Sequence, residues 1–153
     1  MTVRILTLCL GNICRSPAAA AVIRREAAAA GVHVEVDSAG TGDYHIGEPP
    51  HPRSVAAGAR RGYAVGGRAR RLTADDFRRF DLIVTMDEDN LAAARRLAPP
   101  DAKARVVPLR AYAPGGAADL TVPDPWGQDD GAYEHMYDLI IEAARGLIAT
   151  LAG

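Results

Sequence analysis

Val3-Arg4-Ile5-Leu6-Thr7-Leu8, followed by Cys9-Leu10-Gly11-Asn12-Ile13-Cys14-Arg15-Ser16-Pro17, decides the reading of this chain. The first six residues are an apolar run of strand length and read as a buried β-strand. Beyond Pro17, the Ala-rich stretch Ala18 to Ala30 reads as a helix. A cysteine therefore sits at the C-terminal tip of a strand, and an arginine and a serine sit at the mouth of the next helix. The five residues between Cys9 and Arg15 are enough to wrap a loop around one tetrahedral oxyanion. A helix N-terminus presents unpaired N–H groups and a partial positive charge, and Arg15 adds a planar fork suited to phosphate. The same positive field favours the thiolate of Cys9, the nucleophilic form of cysteine. Such a cradle is suited to moving a phosphoryl group onto sulfur.

A chain of 153 residues fits one domain, expected over 1–153, with room for a proper core. The net charge of −1, from 18 basic and 19 acidic side chains, gives no support for a nucleic-acid or anionic-membrane partner. No apolar run approaches membrane-spanning length, and the first residues read as strand, so the expected compartment is the cytoplasm. Cys9 and Cys14 are too few and too close for a secreted disulfide framework. His33, His45, His51 and His135 lack metal-ligand spacing, so neither a metal nor a cofactor is expected. Lys103 is the only lysine, which reads as the codon usage of a GC-rich genome.

Strands and helices alternate along the rest of the chain. Val32 to Asp37 alternates as a second strand. Arg53 to Arg61 reads as a short helix, and Thr73 to Phe80 opens on the capping pattern Thr73-x-x-Asp76. Leu82 to Thr85 is a fully apolar third strand. Asp87 can cap a helix from Glu88 to Leu97, which stops before Pro99-Pro100. Arg105 to Leu109 is the fourth strand, and Ala111 to Gln128 a long Gly-, Pro- and Ala-rich loop. The last helix, about Gly131 to Leu151, carries Met136, Leu139, Ile140, Ala143, Leu147 and Leu151 at helical spacing. Alternation of this kind implies βαβ units and a parallel sheet, whose ligands bind beyond the carboxyl ends of the strands. Loops after strands one, two and four bring Cys9, Ser38 with Tyr44, and Asp124 to that edge.

Each of these residues also has a plainer reading. An inert buried cysteine is the commonest fate of a lone thiol, but Cys9 leads an anion-binding loop. An arginine at the positive end of a helix is unfavourable unless an anion binds there, so Arg15 reads as a ligand for phosphate. Ser16 suits an N-cap and Pro17 the first helical position; the Ser16 hydroxyl is also placed to donate to the thiolate. Gly11 and Asn12 tolerate left-handed backbone. Transfer to sulfur needs a carboxyl that protonates the leaving oxygen. Taken alone, Asp119, Asp124, Asp129 and Asp130 are comparable candidates, with Asp129-Asp130 better suited to capping the last helix.

Cys9 through Pro17 resembles the active-site loop of the low-molecular-weight protein tyrosine phosphatases. Ser38-Ala39-Gly40-Thr41-Gly42, Thr85-Met86-Asp87 with Asn90, and Asp124-Pro125-Trp126 resemble further segments of that family, in family order. The resemblance implies a single-domain, three-layer α/β/α fold of flavodoxin-like type with a four-stranded parallel sheet. It implies Cys9 as nucleophile, Arg15 as phosphate ligand and Asp124 as general acid and base. It gives Asn12 a hydrogen bond to Ser38 that holds the loop's shape, and Cys14 a reversible disulfide with Cys9 that protects against over-oxidation. Leu10, Gly11, Ile13, Tyr44 and Trp126 are the expected substrate-binding positions; a deep aromatic slot favours phosphotyrosine over the shorter phosphoserine.

The chain departs from the family pattern in three places. Gly127 replaces an aromatic that often follows Trp126. Gly67 replaces a histidine that braces the phosphate loop. His51 stands where an aspartate is common. Tyrosines that regulate some members lie beside the acid; Tyr133 and Tyr137 lie further on, so that regulation is not implied. Among rivals, a protein arginine phosphatase carries threonine at the position of Ile13, and an arsenate reductase needs cysteines beyond Cys14. A non-hydrolytic phosphocysteine carrier has no use for Arg15 and Asp124. The expected partner is a phosphotyrosine protein, a bacterial tyrosine kinase being one candidate, and the expected assembly is a monomer or weak dimer.

Overall fold

Val3–Cys9 (β1) lies inside a four-stranded parallel sheet in the computed structural model, which describes residues 1–153. Val34–Gly40 (β2) flanks it on one side, and Leu82–Thr85 (β3) and then Arg105–Pro108 (β4) lie on the other. Helices Arg15–Ala29 (α1), Pro52–Arg60 (α2), Asp76–Arg79 (α3), Glu88–Leu97 (α4) and Asp130–Ala152 (α5) connect or follow the strands. The order β2-β1-β3-β4 reverses direction at β1, so the connections leaving β1 and β3 diverge and open a crevice at their carboxyl ends.

Side-chain alternation along β1 sorts the core into two layers. Ile5 and Cys9 point to a cluster of 26 buried residues that includes α1 and α5; Leu6 and Leu8 point to a cluster of 8 with Phe77, Phe80 and Ala94. The larger layer accounts for the Ala-rich first helix. Ala18 through Ile23 are all buried, so α1 is a helix sandwiched between the sheet and α5, and small side chains let it approach both. In α5, Tyr133, Met136, Tyr137, Ile140, Ala144 and Leu147 form the buried stripe, with Leu139 and Leu151 at its half-buried margins.

Several boundaries differ from the sequence expectation, for local reasons. Helix α1 starts at Arg15, three residues early, with Cys14 in the capping position and no side-chain cap. Ser16 is therefore inside the first turn and Pro17 is its third residue, where a missing N–H still costs no helical bond. Strand β2 runs to Gly40 because pairing with β1 continues from Val3↔Val34 to Cys9↔Gly40; Ser38 lies within the strand, not after it. Segment 73–80 is helical only over Asp76–Arg79. There Asp76 accepts from the Thr73 amide and hydroxyl at 2.9 and 3.3 Å, and Asp75, ahead of the helix, makes no side-chain cap. Strand β4 ends at Pro108, and Leu109–Tyr112 forms a 3₁₀ turn ahead of the long loop.

Candidate active site

Cys9 is the last residue of β1 and is 3% exposed. The chain turns over its sulfur at once, so that amides of the loop and of the first turn of α1 point inward. The N–H groups of Asn12 and Ser16 aim at Sγ from 3.3 and 3.4 Å, and Ser16 Oγ lies 3.0 Å away. The hydroxyl of Ser16 has one proton and two acceptors within reach, Sγ and the Ala39 carbonyl at 3.3 Å. Its proton can swing to the sulfur when the sulfur carries charge. Every donor named here stabilises a thiolate more than a thiol.

Above Cys9 opens a cleft of about 350 Å³ lined by Leu10, Gly11, Ile13, Cys14, Arg15, Tyr44, His45, Asp124 and Trp126. The structure thus brings together nine of the residues singled out from sequence, counting Cys9, and adds His45. Asn12, Ser16 and Ser38 stand behind the loop and do not line the cleft.

Asn12 explains how the loop keeps its curvature. It has φ of 59°, a left-handed conformation that asparagine tolerates better than most residues. Its side chain is 2% exposed yet fully partnered: Nδ2 donates to Ser16 Oγ at 2.8 Å and Ser38 Oγ at 2.9 Å, and Oδ1 accepts from the Arg70 amide at 2.9 Å. The third partner answers the departure at Gly67. A backbone amide three residues on supplies the brace, while Gly67 itself turns away with φ of 90° and open space where a Cβ would stand.

Arg15 is buried with its side chain 4% exposed, and its charge is matched. Nη1 donates to Asp87 Oδ2 at 2.7 Å and to the Val122 carbonyl at 3.0 Å; Nη2 lies 3.9 Å from Asp124 Oδ2. Asp87 also caps α4, accepting from the Asn90 amide at 2.8 Å. Capping was foreseen from sequence; the second bond, to Arg15, joins residues 72 positions apart and leaves no local signal.

Asp124 reaches the cleft from the loop after β4. Its Oδ1 accepts from the Trp126 amide at 3.1 Å, and Gln128 Nε2 donates to its carbonyl at 2.9 Å. With prolines on both sides, the loop is stiff where the carboxyl is offered. Its side chain is 46% exposed, so water reaches it. Gly127 has no neighbour within 4 Å of a would-be Cβ, which leaves the wall low beside Trp126. Asp119 binds the Thr121 amide, and Asp129 caps α5 through the Ala132 amide at 3.1 Å, so neither competes for the site.

The opposite wall is pinned to the phosphate loop. Thr41 and Gly42 amides donate to the Cys9 and Leu10 carbonyls, both at 2.9 Å. A Cβ on Gly42 would stand 2.7 Å from the Tyr44 ring, and one on Gly11 would stand 3.0 Å from the His45 ring. Glycine at both positions lets the wall close on the loop. The sequence signal for His45 was its place beside Tyr44; its Nδ1 pairs with Glu48 Oε2 at 2.9 Å.

Cys14 lies 3.6 Å from the Tyr133 hydroxyl, and burial pushes its thiol up to about 11. Neither cysteine is in a disulfide. His51 finds its reason here: its Nδ1 accepts from the Arg53 amide at 3.1 Å, capping α2, and its ring stacks on Tyr133 at 5.5 Å. Tyr133 and Tyr137 are fully buried.

This combination of fold and loop has known counterparts. The family described as low molecular weight phosphotyrosine protein phosphatase matches residues 4–153. A low molecular weight protein-tyrosine-phosphatase of Streptomyces coelicolor is 43% identical over 99% of this chain and 94% of the relative. A protein tyrosine phosphatase crystal structure from Entamoeba histolytica superposes with a TM-score of 0.92 at 32% identity, covering 97% of this chain and 96% of that one. The structure of a Drosophila arginine phosphatase gives a TM-score of 0.90 at 28% identity, covering 95% and 96%. With the family matched over nearly its whole length, the chain belongs to the low-molecular-weight phosphotyrosine protein phosphatases.

Proposed function

We propose that this protein hydrolyses phosphotyrosine monoesters in proteins through a cysteinyl-phosphate. The observation that carries the reading is the Cys9 sulfur at the floor of a cleft, surrounded by amide and hydroxyl donors, with Arg15 beside it and Asp124 at its mouth. The Cys9 thiolate attacks phosphorus in line with the ester bond. Loop amides and the Arg15 guanidinium hold the equatorial oxygens, where charge is spread in the transition state. As the P–O bond breaks, Asp124 gives its proton to the departing phenolate. Water then attacks the phosphorus of the cysteinyl-phosphate, Asp124 takes a proton from it, and the S–P bond breaks. The Ser16 hydroxyl donates to the sulfur that leaves. Asn12 and Ser38 hold the loop; Asp87 holds Arg15 for bidentate contact.

Leu10, Gly11, Ile13, Tyr44 and Trp126 line the way to the sulfur and suit a flat aromatic ring. Ile13 puts an apolar branched side chain where a guanidinium would need polar partners, which favours phosphotyrosine over phosphoarginine. Cys14 enters this reading as the thiol that closes a disulfide on oxidised Cys9. The reading places the enzyme in the cytoplasm, as two free thiols suit, acting on a tyrosine-phosphorylated protein such as a kinase.

Phosphate release from matched phosphotyrosine and phosphoarginine peptides, by wild type and Cys9→Ser in buffer with EDTA, tests the function. Release from phosphotyrosine alone, lost in Cys9→Ser, is expected. Release from phosphoarginine alone would transfer the assignment to guanidinium phosphates, and release from neither would leave a non-hydrolytic carrier.

A further inference from the structure

Six large apolar side chains stand exposed on this protein, and their placement is uneven. Leu10, Tyr44 and Trp126 line the cleft, and Ile46 lies one residue beyond His45, which lines it; only Met1 and Leu97 lie elsewhere. Tyr44, Ile46 and Trp126 are 70%, 58% and 58% exposed. Clustered exposed apolar surface around a binding site marks a contact surface, whereas scattered apolar residues do not.

Acidic side chains outnumber basic ones around this apolar ring. Asp43 and Glu48 stand exposed on one wall, and Asp124, Asp129 and Asp130 on the other. Of the cations nearby, Arg68 is exposed, donates to the Gly47 carbonyl at 3.0 Å and pairs with no carboxylate, and the others are engaged. Arg53 donates to the Gln128 carbonyl and lies 3.7 Å from Asp130, and Arg15 is buried against Asp87. His45 is tied to Glu48. The floor of the cleft attracts the phosphate, and on the rim acidic groups remain in excess over Arg53 and Arg68.

The Tyr44 wall is also rigid. Besides the bonds at Thr41 and Gly42, the Gly47 amide donates to the Ala69 carbonyl at 2.8 Å, and the Ala69 amide donates to the Glu48 carbonyl at 2.9 Å. A surface fixed before binding loses little conformational entropy when it is covered.

We propose that this rim reads the sequence around the phosphotyrosine: it selects segments with an apolar residue beside the phosphotyrosine and basic residues further out, and it rejects acidic segments. The apolar neighbour covers Leu10, Tyr44 and Ile46, and the basic residues face Asp43, Glu48 and Asp129. This selectivity rests on the phosphatase reading above and adds the class of protein segment on which that chemistry acts.

Three phosphotyrosine peptides test it: one with a leucine beside the phosphotyrosine and lysines further out, one with those lysines replaced by glutamates, and one keeping the lysines with the leucine replaced by serine. Hydrolysis of p-nitrophenyl phosphate is measured alongside. The basic, apolar peptide is expected to have kcat/KM about tenfold above the acidic one, mostly through KM, with the ratio shrinking in high salt. The serine peptide is expected to lose about threefold to fivefold. Asp43→Asn should narrow the first ratio and Ile46→Ser the second; both residues are exposed. Equal kcat/KM for the three peptides, with p-nitrophenyl phosphate hydrolysed, overturns the selectivity and leaves the phosphatase standing. Hydrolysis of neither peptides nor aryl phosphate overturns both.

Discussion

Arg15 Nη1 donates to Asp87 Oδ2 at 2.7 Å, and the same carboxylate caps α4 through the Asn90 amide. One side chain thus fixes the guanidinium in the plane of the phosphate cradle and anchors the helix that follows β3. Because the Arg15 side chain is only 4% exposed, removing its partner leaves a buried cation short of its principal counter-charge. Asp87→Ala is expected to lose about 2–4 kcal/mol of stability, with kcat/KM falling by tenfold or more. Asp87→Asn retains a capping oxygen and should recover part of the stability while activity stays low. Chemical denaturation and kinetics on both variants measure this; equal stability for the two would contradict the double role.

Asn12 combines a strained backbone with a three-way brace, and the two contributions can be separated. Asn12→Gly relieves the left-handed backbone but deletes all three side-chain bonds, whereas Asn12→Ala deletes the bonds and keeps the strain. Both should lower kcat by about a hundredfold, since misplacing reacting groups by an ångström costs that much. Only Asn12→Ala should carry roughly 1 kcal/mol of additional destabilisation, from the strain. Equal unfolding midpoints for the two would show that the backbone conformation stores no strain.

Asp124 is assigned the proton of the leaving oxygen, so its importance should scale with leaving-group basicity. With a series of aryl phosphates, Asp124→Ala should slow the most basic phenolates about a hundredfold or more and the most acidic ones least. A uniform loss across all leaving groups would remove Asp124 from the acid's role.

Alkaline pH should erode stability through buried neutral acids. Burial pushes the Cys14 thiol up to about 11 from an ordinary 9, and the Tyr137 phenol up to about 12 from 10. In the unfolded chain both groups release protons first, so folding is favoured fully below pH 9 and loses ground as pH rises from 9 through about 12. Melting temperature should be flat from pH 7 to about 8.5 and fall thereafter, and Cys14→Ala should flatten the fall. An unchanged slope in that variant would assign the alkaline loss elsewhere.

Much of the fold was legible because it rests on local pattern. Leu82 to Thr85 and Glu88 to Leu97 occur where the apolar run and the Asp87 cap put them, and Cys9 through Arg15 announces its loop through spacing alone. What was missed depended on pairing at long range. Strand β2 extends to Gly40 because β1 continues beside it, and no residue in 34–40 signals that extension. Of the two readings of Ser16, the capping one fails because α1 begins a residue earlier, and the hydroxyl lies 3.0 Å from Cys9 Sγ. The bonds from Arg15 to Asp87 and from the Arg70 amide to Asn12 join segments that meet only in the folded sheet. His45 offers only its place beside Tyr44 as a signal; its contacts with Gly11 and Glu48 are seen only in the fold.

The central claim is that the phosphoryl group passes through the Cys9 sulfur. Asp124→Ala keeps the nucleophile but lacks the base for the second step, so the intermediate should accumulate. Intact-mass spectrometry after rapid acid quench of Asp124→Ala with an activated aryl phosphate should reveal one phosphoryl group per chain, mapped by fragmentation to Cys9 and absent from Cys9→Ser. Aryl alcohol released without any phosphorylated protein, or a phosphoryl group on a residue other than Cys9, would contradict the account.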